Sequence, residues 1–169
     1  MAEERLTISN TTPLINLAEI GQVDLLEKLF GNVVIPPAVL DELLTKEGLF
    51  PRAAEAARSG RFEVLDPSDR LLVRGFSATV HPGEAECLTL AMEHPGSLLL
   101  LDDLAARSLA DSGGLLFSGT LGCLIEAKSR GWIDTVAPLL NDLRQSARFW
   151  ISRQLEAAVL KDAGEGEGG

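Results

Sequence analysis

Hydrophobic and polar positions follow one another along the chain in a pattern typical of short strands separated by helices. Short apolar or alternating stretches occur at 6–8, 33–35, 62–65, 98–101 and 115–117, and each is closed by polar or turn residues. Between them, apolar residues recur every three or four positions, which predicts amphipathic helices. Strands alternating with helices favour a parallel sheet covered on both faces. The pattern therefore predicts an α/β fold, a three-layer α/β/α sandwich with a central parallel sheet.

The strand at 98–101 is the clearest of these elements, because four consecutive leucines end in Asp102 and Asp103. We expect it to be buried on both faces, and the carboxyl end of such a strand is where open α/β sheets bind their ligands. The preceding helix starts at Pro82, which places Glu84 in the first turn, where the helix dipole favours a carboxylate. Acidic residues therefore bracket one buried strand.

Other polar residues fall at the same predicted edge of the sheet. Asn10, Thr11 and Thr12 follow the first strand, and we expect Thr12 to be the N-cap of the next helix. Thr120 opens a later helix, where it is either a simple N-cap or part of an anion-binding start. Glu42 lies beside the buried stripe of its helix, so it either reaches this edge or stays a surface residue.

A group of carboxylates at one edge favours a bound cation. Two charges about 5 Å apart repel by roughly 3 kcal/mol at an effective dielectric near 20. Mg²⁺ or Mn²⁺, which prefer oxygen ligands, would relieve that repulsion and could support hydrolysis of a phosphodiester. Asp103 and Arg107 are four residues apart, a spacing that permits a side-chain pair. The alternative is that every acid is a solvent-facing charge.

The charge balance limits the classes of function. The chain has 169 residues with 25 acidic and 15 basic side chains, a net charge of -10, which argues against a non-specific nucleic-acid coat. Arg144, Arg148 and Arg153 have no acid between them and form a candidate nucleic-acid contact. A solvated helix face is the alternative interpretation.

We expect one domain over residues 1–162, followed by a disordered Gly/Glu tail at 163–169. Cys87 and Cys123 lie in apolar helical patterns and are expected to be buried thiols of a reducing compartment. The start of the chain lacks the apolar run of a signal peptide, and no later run is long enough for a membrane helix. We therefore expect a cytoplasmic protein.

Five motifs in this order resemble those of PIN domains, and the resemblance spans roughly Leu6 to Leu160. It is strongest to a prokaryotic branch of nucleic-acid-binding PIN proteins akin to the toxin components of toxin–antitoxin pairs. The motifs are Ser9 to Ile15, Ile35-Pro36 with the helix that carries Glu42, Gly83 to Glu86, Leu101 to Asp103 with Arg107, and Gly119 to Gly122.

This resemblance implies a Mg²⁺- or Mn²⁺-dependent ribonuclease. It assigns catalytic roles to Asn10, Glu42, Glu84 and Asp102, metal binding to Asn10, Glu84 and Asp102, and supporting roles to Thr11, Thr12, Asp103, Arg107 and Thr120. Asp102 is favoured over Asp103 because it directly ends the apolar run. The implied partners are RNA or DNA, an antitoxin protein and a second copy of the chain, with Phe149 to Ile151 as a candidate dimer contact.

One position departs from the family pattern, since PIN domains usually carry aspartate where this chain has Asn10. An amide removes one negative charge but can still coordinate through its carbonyl oxygen. Two hypotheses follow, a weakened or substrate-assisted nuclease and a protein that binds nucleic acid or an antitoxin without cutting. A receiver-like phosphoacceptor domain, built on Asp102, Asp103 and Thr120, is a third alternative. Its acid pair would lie at the end of the first strand, unlike the pair here.

Overall fold

Five strands and ten helices alternate in the computed structural model, which describes residues 4–166. The strands are β1 (Thr7–Ser9), β2 (Val33–Ile35), β3 (Glu63–Val64), β4 (Leu98–Leu100) and β5 (Leu116–Ser118). The helices are α1 (Thr11–Glu19), α2 (Asp24–Phe30), α3 (Pro37–Thr45), α4 (Pro51–Arg58), α5 (Arg70–Ser77), α6 (Pro82–Glu93), α7 (Leu104–Ser112), α8 (Thr120–Ser129), α9 (Ala137–Ser146) and α10 (Arg153–Asp162).

All strand pairs are parallel, and the sheet order is β3-β2-β1-β4-β5. Ile8 of β1 aligns with Val34 on one side and with Leu99 on the other. From β1 the chain adds β2 and β3 on one side of the sheet, and from β4 it adds β5 on the other side. The strand order therefore reverses between β1 and β4, and this switch point is where open α/β sheets bind ligands. The predicted α/β fold with a central parallel sheet is confirmed.

The three central strands are buried along their whole length. Ile8, Ile35 and Leu99 have no exposed surface, because helices cover both faces of the sheet. Helix α6 is buried from Gly83 to Ala91 and carries its acidic first turn to the edge of the core. A rigid, dry sheet therefore fixes the loops that follow β1 and β4.

Two helix starts differ from the expectation. Helix α1 begins at Thr11 with Asn10 as its N-cap, so Thr12 is inside the first turn. Helix α8 begins at Thr120 with Gly119 as its N-cap, so Thr120 is not the cap either. In both cases the strand ends one residue later than predicted and the N-cap lies earlier than predicted, so the threonine hydroxyls are left available for other partners.

The C-terminal segment also differs from the expectation over 163–166. The carboxylate of Glu165 accepts hydrogen bonds from Lys128 Nζ at 2.9 Å, from the Val136 N–H at 2.7 Å and from the Ala137 N–H at 3.2 Å. These contacts hold the segment against the start of α9. The rest of the expected tail, 167–169, lies outside the described residues. Over residues 4–166, no helix combines the length and hydropathy that crossing a bilayer requires.

Candidate functional site

An acidic cleft of about 620 Å³ lies at the carboxyl ends of β1 and β4. It brings together seven of the sequence-predicted side chains, namely Asn10, Thr11, Thr12, Glu42, Glu84, Asp102 and Asp103. It is also lined by the side chains of Lys46, His81 and Phe149. The switch point of the sheet is thus a polar cleft with four carboxylates.

Asn10 and Glu84 meet at the base of the cleft. The Asn10 N–H donates to the Leu100 carbonyl at 3.0 Å, which ties the end of β1 to β4. Its side-chain nitrogen lies 3.4 Å from Glu84 Oε1, and Glu84 Oε2 accepts the His81 N–H at 2.8 Å. A Cβ on Gly83 would come within 3.2 Å of Asn10 Oδ1, so glycine permits this close approach.

Glu42 is held in the same cleft by two donors. Thr11 Oγ1 donates to its Oε2 at 2.6 Å, and Lys46 Nζ lies 2.7 Å from its Oε1. Partial burial alone would raise the pKa of Glu42, but the bonds from Lys46 and Thr11 and the Lys46 charge lower it on balance. Glu42 is therefore an ionised carboxylate in a charge-compensated position.

Asp102 is oriented by neutral donors. Its Oδ1 accepts the Thr120 N–H at 2.9 Å, and its Oδ2 accepts the Thr120 hydroxyl at 2.6 Å and the Asn16 side-chain nitrogen at 3.3 Å. Asn16 also donates to Thr120 Oγ1 at 3.0 Å, which completes the network. The anion that the start of α8 was expected to hold is thus the chain's own Asp102 carboxylate.

Asp103 has a different position from its neighbour. It is the N-cap of α7, and its side chain accepts the Ala106 N–H at 2.8 Å. The expected pair with Arg107 is replaced, since Arg107 Nε donates to the Leu101 carbonyl at 2.7 Å and its guanidinium lies 5.5 Å from the Phe117 ring centroid. Arg107 stays near Asp102 and contributes a favourable charge to it.

Negative charge is in excess at the base of the cleft. Burial raises the pKa of Glu84, and the nearby charges of Asp103 and Glu42 raise it further, against the opposing effect of the His81 N–H. Burial likewise raises the pKa of Asp102 in spite of the bonds from Thr120 and Asn16 and the charge of Arg107. Both carboxylates would therefore be stabilised by a cation placed near them.

The fold and the cleft agree with a comparison of the sequence with known families. Residues 6–165 match the model of DUF3368, described as a PIN domain. The chain belongs to the PIN domain family. No curated protein matches it. The PIN domain match removes the basis of the receiver alternative.

The divalent ion that the family implies would need oxygen donors in the cleft of this PIN domain. Within residues 4–166, no three His, Cys, Asp or Glu side chains are grouped so that they alone could hold a metal ion. Mg²⁺, however, usually keeps several waters and binds one or two carboxylates together with substrate phosphates. Glu84, Asp102 and the Asn10 amide contribute oxygen atoms of that ligand class to one cleft.

The basic strip is only partly available in this PIN domain. Arg144 is paired with Glu156 at 2.6 Å and donates to the Ile151 carbonyl at 3.3 Å, so its charge is already compensated. Arg148 and Arg153 are exposed. Of the three residues expected at a dimer contact, Trp150 is 82% exposed, Ile151 is buried and Phe149 lines the acidic cleft.

Sequence reasoning missed several residues that shape the PIN domain cleft. Asn16 interrupts the apolar face of α1, and a polar residue in a buried stripe was the signal that it has a structural partner. Lys46 follows Glu42 by one helical turn, a spacing that permits an ion pair. Gly119 was part of a motif quoted from the sequence, but the close approach that requires glycine there is visible only in the structure. A Cβ there would lie 2.6 Å from Asp102 Oδ1, 3.1 Å from the Leu101 carbonyl and in collision with Arg107.

Proposed function

We propose that this PIN domain is a divalent-metal-dependent ribonuclease that hydrolyses phosphodiester bonds at the acidic cleft. One observation carries the proposal, the convergence of Asn10, Glu84 and Asp102 in a single cleft at the β1/β4 switch point, with both carboxylates destabilised by burial. Carboxylates whose pKa is raised by burial at a ligand-binding edge are an arrangement that favours function over stability.

The proposed cofactor is Mg²⁺ or Mn²⁺, held by Glu84, Asp102 and the Asn10 carbonyl oxygen. When bound, such an ion activates water and neutralises charge that develops on the phosphate. The choice of a hard ion rests on the donors, which are oxygen atoms of two carboxylates and one amide, the ligand class of Mg²⁺ and Mn²⁺.

The chain's own residues would position the substrate and the acids. The His81 N–H and the Asn10 amide orient Glu84, while Thr120 and Asn16 orient Asp102. Among the described residues that line the cleft, Lys46 is the one permanent cation, and it would attract a phosphate from its place beside Glu42. Exposed Arg148 and Arg153 are the proposed outer contacts with nucleic acid.

A second candidate function is nucleic-acid or antitoxin binding without cleavage. The side-chain nitrogen of Asn10, 3.4 Å from Glu84 Oε1, favours it, because an amide donor then faces the carboxylate where a cation would be expected. Asn10 also removes one negative charge compared with the aspartate usual in the family. A PIN domain with this change would keep its cleft and lose affinity for the ion.

The biological setting proposed for either function is a cytoplasmic toxin–antitoxin pair with RNA as target. A homodimer is part of the same proposal, and Trp150, 82% exposed, is the side chain proposed for its contact. An antitoxin that covered the acidic cleft would block the approach of RNA and so regulate activity. These proposals rest on the resemblance to toxin-like PIN domains.

Cleavage of end-labelled RNA in Mn²⁺ or Mg²⁺ tests the nuclease proposal. Metal-assisted charge stabilisation contributes several kcal/mol, so Asp102→Asn should lower the rate about 100-fold or more. Asp111→Asn is the matched control, because Asp111 is exposed on the last turn of α7 and does not line the cleft. Its rate should equal that of the native protein.

The two candidate functions predict different results. If the native protein binds RNA but cleaves none in either metal, and Asn10→Asp cleaves, the non-cutting function is supported. Equal rates for the native protein and Asp102→Asn would overturn the metal-dependent mechanism, because cleavage would then come from another site or a contaminant.

A further inference from the structure

A second cavity adjoins the acidic cleft on the other side of Asp102. It has a volume of about 460 Å³, and Asp102 and Phe149 line both cavities. We call it the Phe149 pocket, lined chiefly by Leu104, Arg107, Phe117, Leu121, Phe149 and Leu155. Its volume lies in the range of roughly 300 to 1,000 Å³ typical of small-molecule sites. The two cavities therefore lie side by side, with Asp102 and Phe149 in the lining of each.

The Phe149 pocket is mainly apolar and carries one positive group, whereas the acidic cleft is polar and mainly negative. Two phenylalanines and three leucines make its walls apolar, and Arg107 adds a guanidinium held over Phe117. Asp102 is the one carboxylate among the described residues that line it, and both of its oxygens accept bonds from the Thr120 side. The pocket thus offers flat aromatic and apolar surface with one positive group.

A nucleobase matches this combination. Bases have a π-face that stacks on aromatic rings and on guanidinium planes, and their carbonyl and ring-nitrogen atoms accept hydrogen bonds from arginine. Arg107 is prepared for such a contact, since its Nε is fixed on the Leu101 carbonyl at 2.7 Å and its orientation is set before any ligand arrives. Only an unpaired base presents a free face, so the strand must be single-stranded there.

We propose that the Phe149 pocket binds one unpaired base of an RNA strand whose adjacent phosphate lies in the acidic cleft. The inference rests on the proposed function, because a phosphate-binding cleft next to the pocket selects a nucleotide as the occupant. Phe149 stands between the two cavities, so it would contact the base and help to set the register of the phosphate over Glu84 and Asp102.

Fluorescence anisotropy with two labelled strands tests the pocket. A short oligouridine is compared with a strand of equal length and charge whose riboses carry no bases, both in EDTA so that no divalent ion supports cleavage. Stacking of one base on an aromatic side chain contributes about 1 to 3 kcal/mol, so the native protein should bind the base-containing strand about 5- to 150-fold more tightly.

Variants assign that preference to the pocket. Phe149→Leu, which keeps an apolar side chain but removes the ring, should bind both strands alike, whereas Phe149→Tyr should keep the preference. Leu71→Ala is the control, since Leu71 is 79% exposed on α5 and does not line either cavity. It should keep the native preference.

Each other outcome is decisive. Equal binding of the two strands by the native protein, no binding of either strand, or an undiminished preference in Phe149→Leu would overturn the proposal. If Phe149→Leu changes the mass measured by sedimentation but keeps the preference for the base-containing strand, the pocket is instead a contact surface between copies of the chain or with a protein partner. A native protein that prefers bases but cleaves no RNA in any metal leaves the pocket standing and removes the nuclease function.

Discussion

At the scale of single residues, the acids of the cleft are oriented mainly by neutral donors. Asp102 is bound by Thr120 and Asn16, and Glu84 by a backbone N–H and the Asn10 amide. Neutral donors fix the direction of a carboxylate without removing its charge, so the site keeps an affinity for cations. Glu42 is the exception, because Lys46 already compensates it.

Asn10 sets the charge of the cleft, and Asn10→Asp should make the fold more dependent on metal. A second carboxylate within hydrogen-bond distance of Glu84 adds repulsion of up to about 4 kcal/mol at an effective dielectric of 20. We expect a lower melting temperature than native in EDTA and a larger rise with Mn²⁺. Ion at about 100 times its dissociation constant contributes about 2.7 kcal/mol, several degrees for a domain of this size.

Asn32→Asp is the matched control for that measurement, because Asn32 is exposed before β2 and does not line the cleft. Its Mn²⁺-induced shift in melting temperature should equal that of the native protein. An equal shift for Asn10→Asp and the native protein would mean that residue 10 does not contribute to ion binding.

At the scale of elements, α6 separates two nearly buried glutamates by helical periodicity. Residues two apart on a helix point about 200° apart, so Glu84 faces the acidic cleft while Glu86 faces α3. There Glu86 accepts the Ala38 N–H at 2.9 Å, at the start of α3, and lies 3.3 Å from Arg70. One glutamate of the motif is therefore left for chemistry, and the other joins two helices.

The start of α9 is a second case of a helix held by a distant carboxylate, and Glu165→Gln tests it. Burial opposes ionisation of Glu165, but Lys128 and the Val136 and Ala137 N–H groups lower its pKa on balance. The amide loses one acceptor oxygen, so we expect a loss of about 1 kcal/mol in the free energy of unfolding. Hydrogen exchange should accelerate mainly at the start of α9.

The sign of the pH dependence follows from the lowered pKa. Glu165 stabilises the native state fully above its unfolded pKa of about 4.3, and this contribution disappears as the pH falls through the lower folded pKa. The difference between native protein and Glu165→Gln should therefore shrink below about pH 4. Glu63→Gln, at an exposed position of β3, serves as control, and an equal loss in both variants would contradict the capping role.

At the scale of the whole molecule, a strongly acidic chain presents an acidic cleft and a neighbouring pocket with a cation. The net charge of -10 repels nucleic acid at long range, so binding would rely on short-range partners such as Lys46 and Arg107. The fold accepts buried carboxylates at the switch point, which should lower its stability when no cation is bound.

Glu84→Gln should therefore stabilise the metal-free fold at neutral pH. The pKa of Glu84 is raised in the folded state. Between the unfolded pKa of about 4.3 and this higher folded pKa, the native state binds more protons than the unfolded state. The free energy of unfolding of the native protein therefore falls as the pH rises through that window. Melting temperatures in EDTA should be equal for native protein and variant below about pH 4. Above the window the variant should melt higher.

Glu55→Gln, an exposed position of α4, is the control for this series and should follow the native protein at every pH. A Glu84→Gln variant that melts lower than the native protein near pH 7.5 would show that the hydrogen bonds of Glu84 outweigh its burial, and the excess of charge in the cleft would then be smaller than inferred.

The local pattern of the sequence determined the elements and the edge at which the polar residues lie. Apolar runs of three or four residues are buried in any arrangement that covers both faces of a sheet. The apolar runs at 33–35 and 98–101 therefore predicted the strands β2 and β4 without any long-range information. The residue after a strand must lie at its carboxyl end, which is why Asn10 and Asp102 could be expected at one edge. The helix start at Pro82 likewise predicted that Glu84 lies in the first turn of α6.

Only the tertiary structure decided which of these polar groups meet and how each is bound. Thr120 and Asn16 contact Asp102 across 18 and 86 residues of chain, and Glu165 reaches Val136 across 29, distances along the chain that no local pattern encodes. Gly119 is required by the close approach of Arg107 and Asp102. The second cavity combines Phe149, from the segment between α9 and α10, with side chains of α7, β5, α8 and α10. The local sequence determines where a side chain lies along its element and whether it is buried. Long-range packing determines which groups contact each other, and the chemistry of a site depends on those contacts.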